Sequence, residues 1–486
     1  MKRISLLFTF CLSLILNGQF TSPGTGITYT LTSLSAAAPT VLVNNGTSYT
    51  MTANVTIAGG DTLLMDENTT LTINPGIKLT VAGTYNTTAT SLTITSGNAA
   101  SVFNGIQFDA GSTVAMRNTT LEYGGGIRVS TGNFLMDNCI VRDFKAGLVT
   151  SGTMSFSTGS PIVQNSQFLQ NDYPAFSSAA NATVSAVFQN NYLFGNSKLN
   201  TNRPQINMGP GGADSLKIIN NTILGNRALT MVGGISASAL IGGTNRVKIL
   251  NNTIKDNRYG ITMAGSSSAG IIKGNIIEDN DSQNLPNSGG SGISLSATSD
   301  QLYVTQNQIR RNLWGITLLS NAQVNLGSDA PGNINPGQNI FKDNGNGGNL
   351  YALFNNTPNT IQAKFNCWRE TELSTDAMVE SVISHQADDP ALGPVIYSPY
   401  NCSVLKVAEA ENISTALYPN PSNGDFIFES AKAGNLTITD LSGRLVYSAL
   451  VQKGKNSYRL NVPQGVYMIV FISEGQKISK KLIIRQ

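Results

Sequence analysis

Apolar and polar residues alternate along most of this chain in runs of four to six, and Asn or Gly breaks each run. Two examples are Asn220-Asn221-Thr222-Ile223-Leu224-Gly225-Asn226 and Asn251-Asn252-Thr253-Ile254-Lys255-Asp256-Asn257. A period of two over so few residues predicts short strands, and the Asn and Gly punctuation predicts sharp turns. Ending each copy on Asp143, Asn171, Asn196, Asn226, Asn257, Asn280, Asn312 or Asn344 gives a repeat recurring about every 29 residues. Each copy carries an apolar residue three before that marker: Ile140, Phe168, Leu193, Ile223, Ile254, Ile277, Ile309 and Phe341. A second strand follows most copies, as in Tyr259-Gly260-Ile261-Thr262-Met263 and Trp314-Gly315-Ile316-Thr317-Leu318. Ser291-Gly292-Ile293-Ser294-Leu295 has the same form just before a copy.

The amphipathic stretches of helical repeats are missing, and so are the fixed Leu offsets of leucine-rich arrays. Short strands stacked at this period predict a parallel β-helix of about a dozen rungs, ~4.8 Å apart. Asn tolerates the left-handed turn conformation, and its amide can hydrogen-bond the rungs above and below as a ladder. These features resemble the right-handed parallel β-helix proteins, the superfamily of pectate lyases and many adhesins. The resemblance runs from about Val41 to Cys402. Asp61-Thr62-Leu63 through Leu79-Thr80-Val81 looks like first coils, and Asn104-Gly105-Ile106-Gln107-Phe108 continues them. Ile361-Gln362-Ala363-Lys364-Phe365-Asn366-Cys367-Trp368 resembles a closing coil, with Arg369 where many members have Gly.

After Cys402 the composition changes: from Lys406 to Arg485 there are ten Lys and Arg against six Asp and Glu. Strand-like runs at short spacing, such as Phe426-Ile427-Phe428 and Val466-Tyr467-Met468-Ile469-Val470-Phe471, fit a small immunoglobulin-like β-sandwich. Tyr418-Pro419-Asn420-Pro421, Asp440-Leu441-Ser442-Gly443-Arg444 and Pro463-Gln464-Gly465-Val466-Tyr467 resemble, in order, the type IX secretion sorting domain, type A, of Bacteroidetes-type bacteria. That resemblance implies the type IX machinery as partner through residues 416–486, with Tyr418, Pro419, Asn420, Pro421, Gly443, Gly465 and Tyr467 as the sorting motif. It also implies removal of this domain and attachment at the outer-membrane surface, or release.

The start of the chain agrees with export. Met1-Lys2-Arg3 and the apolar run Leu6 to Leu16 form a secretory signal ending at Gly18, too short for a membrane helix. The predicted organisation is all-β: signal peptide 1–18, β-helix 19–402, linker 403–415 and sandwich 416–486. Within the β-helix we expect N-terminal coils at 41–135, Asn-ladder repeats at 136–345 and closing coils at 346–402. Charged residues make up only 12% of the chain and net charge is +3, so there is no basic field for nucleic acid. No later stretch is long and apolar enough for a transmembrane helix. Export leaves Cys139, Cys367 and Cys402. Cys367 and Cys402 close the same region and can pair in an oxidising compartment, although spacing alone leaves both outcomes open.

Candidate chemistry is sparse. His385 is the single His, so His-based catalysis and the usual zinc ligand sets are excluded. Related lyases use Lys or Arg as base, with carboxylates holding calcium. Stacking the copies places Lys255, Glu278, Arg310 and Lys342 in one column, and Asp256, Asp279, Arg311 and Asp343 in the next. Val141, Leu169, Phe194 and Leu224 precede them, so no charged groove runs the full length. Asp256 and Asp279 are candidate calcium ligands, and Arg310 or Arg311 could take a uronate. The competing expectation is surface ion pairing between rungs. Tyr259 and Trp314 precede equivalent glycines and are candidates for stacking on sugar rings. Asp61-Thr62-Leu63 and Asp214-Ser215-Leu216 resemble the O-glycosylation signal of such bacteria. The leading expectation is a secreted or surface protein that binds glycan, matrix or another cell, with no catalytic residues and no cofactor. A polysaccharide lyase or hydrolase using Arg, Lys and carboxylates is one alternative, with calcium as its ion; a structural spacer is another.

Overall fold

The computed structural model describes residues 18–285, 289–370, 374–402, 415–440, 445–473 and 476–485. The predicted signal peptide, but for Gly18, lies outside that set; so do Gly443 and all of the predicted linker except Thr415. Two compact units divide at Cys402.

The first unit is a parallel β-helix. Each coil contributes one strand to each of three sheets, here called sheets 1, 2 and 3 in chain order. In one coil these are Ile235–Ser238, Asn245–Leu250 and Thr253–Lys255. Among the described residues the sheets hold 14, 14 and 13 strands. The rungs begin earlier than Val41. Phe20–Thr21 pairs with Val55 and Thr56, and Thr28–Tyr29 pairs with Thr62 and Leu63. Inward residues are apolar and fully covered, as in Ile223, Ile254, Ile277 and Ile309 stacked in register. Phe156, Phe168, Phe176 and Phe188 fill the middle of the barrel, with Phe176 and Phe188 stacked at 4.1 Å. Each buried Phe contributes roughly 1.5–3 kcal/mol relative to exposure.

Two side-chain ladders join the rungs at the corners. At the corner between sheets 2 and 3, Asn191, Asn221, Asn252, Asn275, Asn307 and Asn339 each donate from Nδ2 to Oδ1 of the next Asn, ending at Asn366, over 2.9–3.0 Å. The same oxygens accept the backbone N–H of the preceding Asn. The second Nδ2 proton goes to a carbonyl of the rung before, such as Ile218 for Asn252. Every polar atom of these buried amides therefore has a partner. The second ladder, between sheets 3 and 1, runs Asn171, Asn196, Gln205, Asn257, Asn280, Asn312, Asn344. Asn226 is not in it. Its side chain turns back to the Ala228 N–H, and Gln205 reaches in from an earlier position to fill the rung.

Left-handed backbone belongs to the residue before each first-ladder amide: Asn190, Asn220, Asn251 and Gln306 all have positive φ, while the ladder residues do not. Paired Asn residues thus divide the work between turning and bonding. The first repeat copy is out of step by one. Val141, not Ile140, aligns with Phe168, so Arg142 rather than Val141 occupies the charged column. Arg142 there pairs with Glu122 of the preceding rung at 2.6 Å.

Both ends of the barrel are covered. The helix Leu31–Ala37 buries Leu31 and Leu34, and a capping box between Thr30 and Ser33 starts it. Nearby, the buried Asp61 carboxylate accepts the backbone N–H of Gly24, Gly26 and Ile27 at 2.7–2.9 Å. At the other end Trp368 stacks on Phe341 at 5.0 Å, and the helix Asp376–Glu380 inserts Val379. Cys367 and Cys402 are joined by a disulfide with Cα atoms 4.3 Å apart. Cys139 is a buried free thiol whose pKa burial pushes up to about 12.

The second unit has two antiparallel sheets. One holds Thr415–Tyr418, Asp425–Ser430 and Gly454–Arg459; the other holds Leu445–Val451, Gly434–Thr439, Gly465–Ser473 and Gln476–Ile484. Phe426, Phe428, Leu436, Ile438, Ile469, Phe471 and Leu482 form its core.

Asn252→Leu removes a link that serves Asn221 and the Ile218 carbonyl together. We expect a loss of about 1–3 kcal/mol in urea or thermal unfolding; an unchanged midpoint would contradict the ladder's role. Hydrogen bonds from Ser22 first, then from the Gly24, Ile27 and Gly26 N–H groups, hold the Asp61 carboxyl down at about 2. A lowered folded pKa means the ionised clamp contributes stability above about pH 4 and loses it as pH falls through the folded value. Hydrogen exchange at Gly24 and Gly26 should therefore rise, relative to the intrinsic rate, on acidification towards that value. Asp61→Asn should raise it at neutral pH; no change in either case would contradict the clamp.

Candidate functional site

The outer face of sheet 1 is built by period-two alternation around a glycine column. Gly260, Gly292 and Gly315 lie on successive rungs where a side chain does not fit: a Cβ at Gly315 would sit 2.2 Å from the Ala352 carbonyl oxygen. Small outward residues follow: Ser177, Asn207, Ser236, Thr262, Ser294 and Thr317 stand in register on consecutive rungs. Phe354 continues that column.

The two aromatic candidates behave differently. The Tyr259 ring lies flat on Gly233, where an added Cβ would fall 2.1 Å from its Cζ. Burial pushes its phenol up to about 12. It is half-buried, with its ring packed over the Gly233 turn. Trp314 opens onto a depression instead. Its ring packs at a tilt against Tyr351 at 4.4 Å and stacks on Phe354 at 5.2 Å. The adjoining hollow, about 470 Å³, is lined by Ser291, Ser294, Thr317, Leu319 and Asn356 besides Trp314 and Phe354. Ser291 and Thr317 share a hydrogen bond of 2.6 Å between their hydroxyls. Tyr351 and Phe354 escaped the sequence reading because the hairpin of Gly345–Asn346 and Asn349–Leu350 separates them from the Asn344 marker. Without that insertion, Tyr351-Ala352-Leu353-Phe354 reads like Trp314-Gly315-Ile316-Thr317.

The charged columns fall on sheet 3 as expected, with Lys255, Glu278, Arg310 and Lys342 in register. Asp256, Asp279, Arg311 and Asp343 all adopt positive φ beside them. Arg310 is held by Glu278 at 3.0 Å and by both oxygens of Glu370 at 2.6 and 2.8 Å. Glu370 comes from the closing coil, and nothing in the repeat pattern marks it. Arg311 grips Asp279 at 2.7 Å and Glu278 at 2.9 Å. Lys255 adds a 3.0 Å contact to Asp279, and Arg227 reaches Asp256 at 3.2 Å. Burial works against the Asp279 carboxylate, but hydrogen bonds from Arg311 and Lys255 outweigh it and hold its pKa below the ordinary range. Asp256 and Asp279 are thus each answered by a cation, and Arg310 and Arg311 by carboxylates. Among the described residues no group of three or more His, Cys, Asp or Glu side chains converges. Surface pairs of this kind contribute about 0–1 kcal/mol each.

His385 is buried, donating from Nε2 to Glu380 at 2.8 Å and accepting the Val395 N–H at Nδ1 over 3.0 Å. It holds the closing coils together. The two candidate glycosylation triplets are also structural in part: Asp61 forms the N-terminal clamp, and Ser215 is buried.

In the second unit Asn420 bridges to the last strand, donating to the Lys481 carbonyl at 2.6 Å and accepting the Ile483 N–H at 2.8 Å. Pro419 and Pro421 flank it. Tyr418 donates to Glu429, and Tyr467 to the Pro463 carbonyl, both at 2.8 Å. Gly465 opens the strand that carries Tyr467.

Because the Asp256 and Asp279 oxygens already have cationic partners, millimolar calcium or a chelator should leave the melting temperature unchanged. A rise with calcium would return both residues to the ligand reading.

Residues 175–329 match the family model for the right handed beta helix region, and residues 416–485 match that for the secretion system C-terminal sorting domain. No curated protein and no solved structure matches the chain. No helix among the described residues is long and apolar enough to cross a membrane. The chain joins a right-handed β-helix to a type IX C-terminal sorting domain, which directs it to the cell surface or the extracellular space.

Proposed function

We propose that the exported β-helix binds carbohydrate without cleaving it, through the Trp314 shelf on sheet 1. The observation that carries this reading is the stack of Trp314, Tyr351 and Phe354 beside a hollow of hydroxyl and amide groups. Aromatic faces offer a sugar ring a flat apolar surface, and Ser291, Ser294, Thr317 and Asn356 offer its hydroxyls hydrogen-bond partners. Among the described residues no ionised side chain lines the hollow, which favours a neutral glycan over a uronate. General acid and base work needs a titratable group within reach of the bond being broken. The nearest candidates by sequence, Arg310 and Arg311, are committed to ion pairs on another sheet.

The purified chain should bind neutral polysaccharides on a glycan array and release no new reducing or unsaturated ends. Trp314→Ala should weaken that binding by about 2 kcal/mol, roughly thirtyfold, without lowering the melting temperature much. New chain ends would replace this reading with a lyase or hydrolase, and silence on every glycan would favour a spacer. Deleting Leu417–Gln486 should leave the chain in the periplasm on cell fractionation; surface display of the truncated chain would contradict the sorting role.

A further inference from the structure

The outer face of sheet 2 carries a different chemistry. Lys217, on Gly212–Ile219, stands in register with Lys248 on Asn245–Leu250, and Leu250 stands in register with Lys273 on Ser268–Lys273. Arg246 lies two residues before Lys248, hence on the same face. Four cations from three successive rungs share one flat sheet, with rungs ~4.8 Å apart. Like charges directly opposite in a sheet repel, so this placement costs stability unless a counter-charge answers it.

Among the described residues none does so. Lys217 donates to the Asp214 backbone carbonyl at 2.9 Å, and Arg246 to the Gln301 side-chain oxygen at 3.1 Å; neither acceptor is ionised. Lys248 and Lys273 are exposed and have no side-chain hydrogen bond or ion pair among the described residues. Lys248 stands in register between Lys217 and Ile271, and Lys273 between Leu250 and Thr305, so no acid lies in register beside either. Asp214 and Asp300 lie near the strand starts, and neither forms an ion pair with the four cations. Sheet 3 provides the contrast. There Arg142, Lys255 and Arg310 each have a carboxylate within 2.6–3.0 Å, as do Arg227 and Arg311 at the adjoining corner, and Lys342 is the one cation of that column with no ion pair among the described residues. Between Gln19 and Cys402 acids outnumber Lys and Arg, so unanswered cations here are not a matter of acid shortage.

We propose that this face is an electrostatic docking surface for an acidic polysaccharide, whose carboxylates or sulfates supply the missing counter-charges. A flat face does not enclose a small anion, whereas cations repeating from rung to rung match a linear polymer that repeats its charge. Ile219, Leu250, Ile271 and Tyr303, half-buried between the cations, give apolar contact to the sugar rings. The sorting domain takes the chain outside the cell, where such polymers lie. This surface is separate from the Trp314 shelf, so either can fail alone.

The test uses the full chain on immobilised dextran sulfate, uncharged dextran and duplex DNA. Wild type should bind dextran sulfate more tightly than dextran, and that excess should shrink as salt rises. Lys217→Gln/Lys248→Gln/Lys273→Gln should weaken dextran sulfate binding by more than about tenfold, and Lys248→Gln alone by less. The triple variant should keep whatever affinity for uncharged dextran the wild type has. The triple variant should melt at or above the wild-type temperature, because repulsion has been removed. No binding at low salt, or undiminished binding by the triple variant, would overturn the proposal. Equal or tighter binding to DNA would overturn the choice of a polysaccharide.

Discussion

Two of the three corners of this β-helix turn the backbone through a position whose N–H the neighbouring strands do not pair, and they do so inside a covered barrel. Orphaned buried polar groups cost about 1–3 kcal/mol each. The side-chain amide is the residue chemistry that solves the problem in one step, since it offers two donors and an acceptor in a plane. Asn252 illustrates it: one oxygen takes two protons from Asn221, and one nitrogen serves both Ile218 and Asn275. Once such a column is set, rung register is fixed, and so is everything displayed on the three outer faces.

Those faces then differ in what they do with charge. Sheet 3 cross-links its rungs with paired charges, closing with Arg310 on Glu370. Sheet 1 shows a column of small hydroxyl and amide side chains that ends in Phe354, with Trp314 and Tyr351 packed beside it. Sheet 2 leaves Lys217, Lys248 and Lys273 without an acid partner among the described residues. A single stacking rule thus carries three surface chemistries, because outward residues hardly affect whether the next rung docks.

The repeat was legible in the sequence because the ladder demands the same side chain at the same corner. That made the fold, the charged columns and the sorting landmarks readable. Errors arose where geometry and sequence spacing part company. Ile140 and Val141 are both apolar, so the alternation alone could not tell which faces inward. The hairpin before Tyr351 displaced it from its expected offset. Tyr259 and Trp314 occupy equivalent positions, and what each ring packs against lies on neighbouring rungs: Gly233 gives Tyr259 a surface to lie on, while Trp314 meets Tyr351 and Phe354. Sequence position names the column, but neighbours a whole coil away determine what a ring touches.

Gln205 shows how far the ladder can be freed from periodicity. The rung at Asn226 is served by an amide from outside the repeat motif, one methylene longer, so the requirement is that an amide be present in space and not at a given offset. Coils built on that principle can gain or lose loop residues at the corner while the column stays continuous. Divergence within such a chain would then erase the written repeat before it disturbs the barrel, and distant members could share this architecture with no recognisable Asn spacing at all.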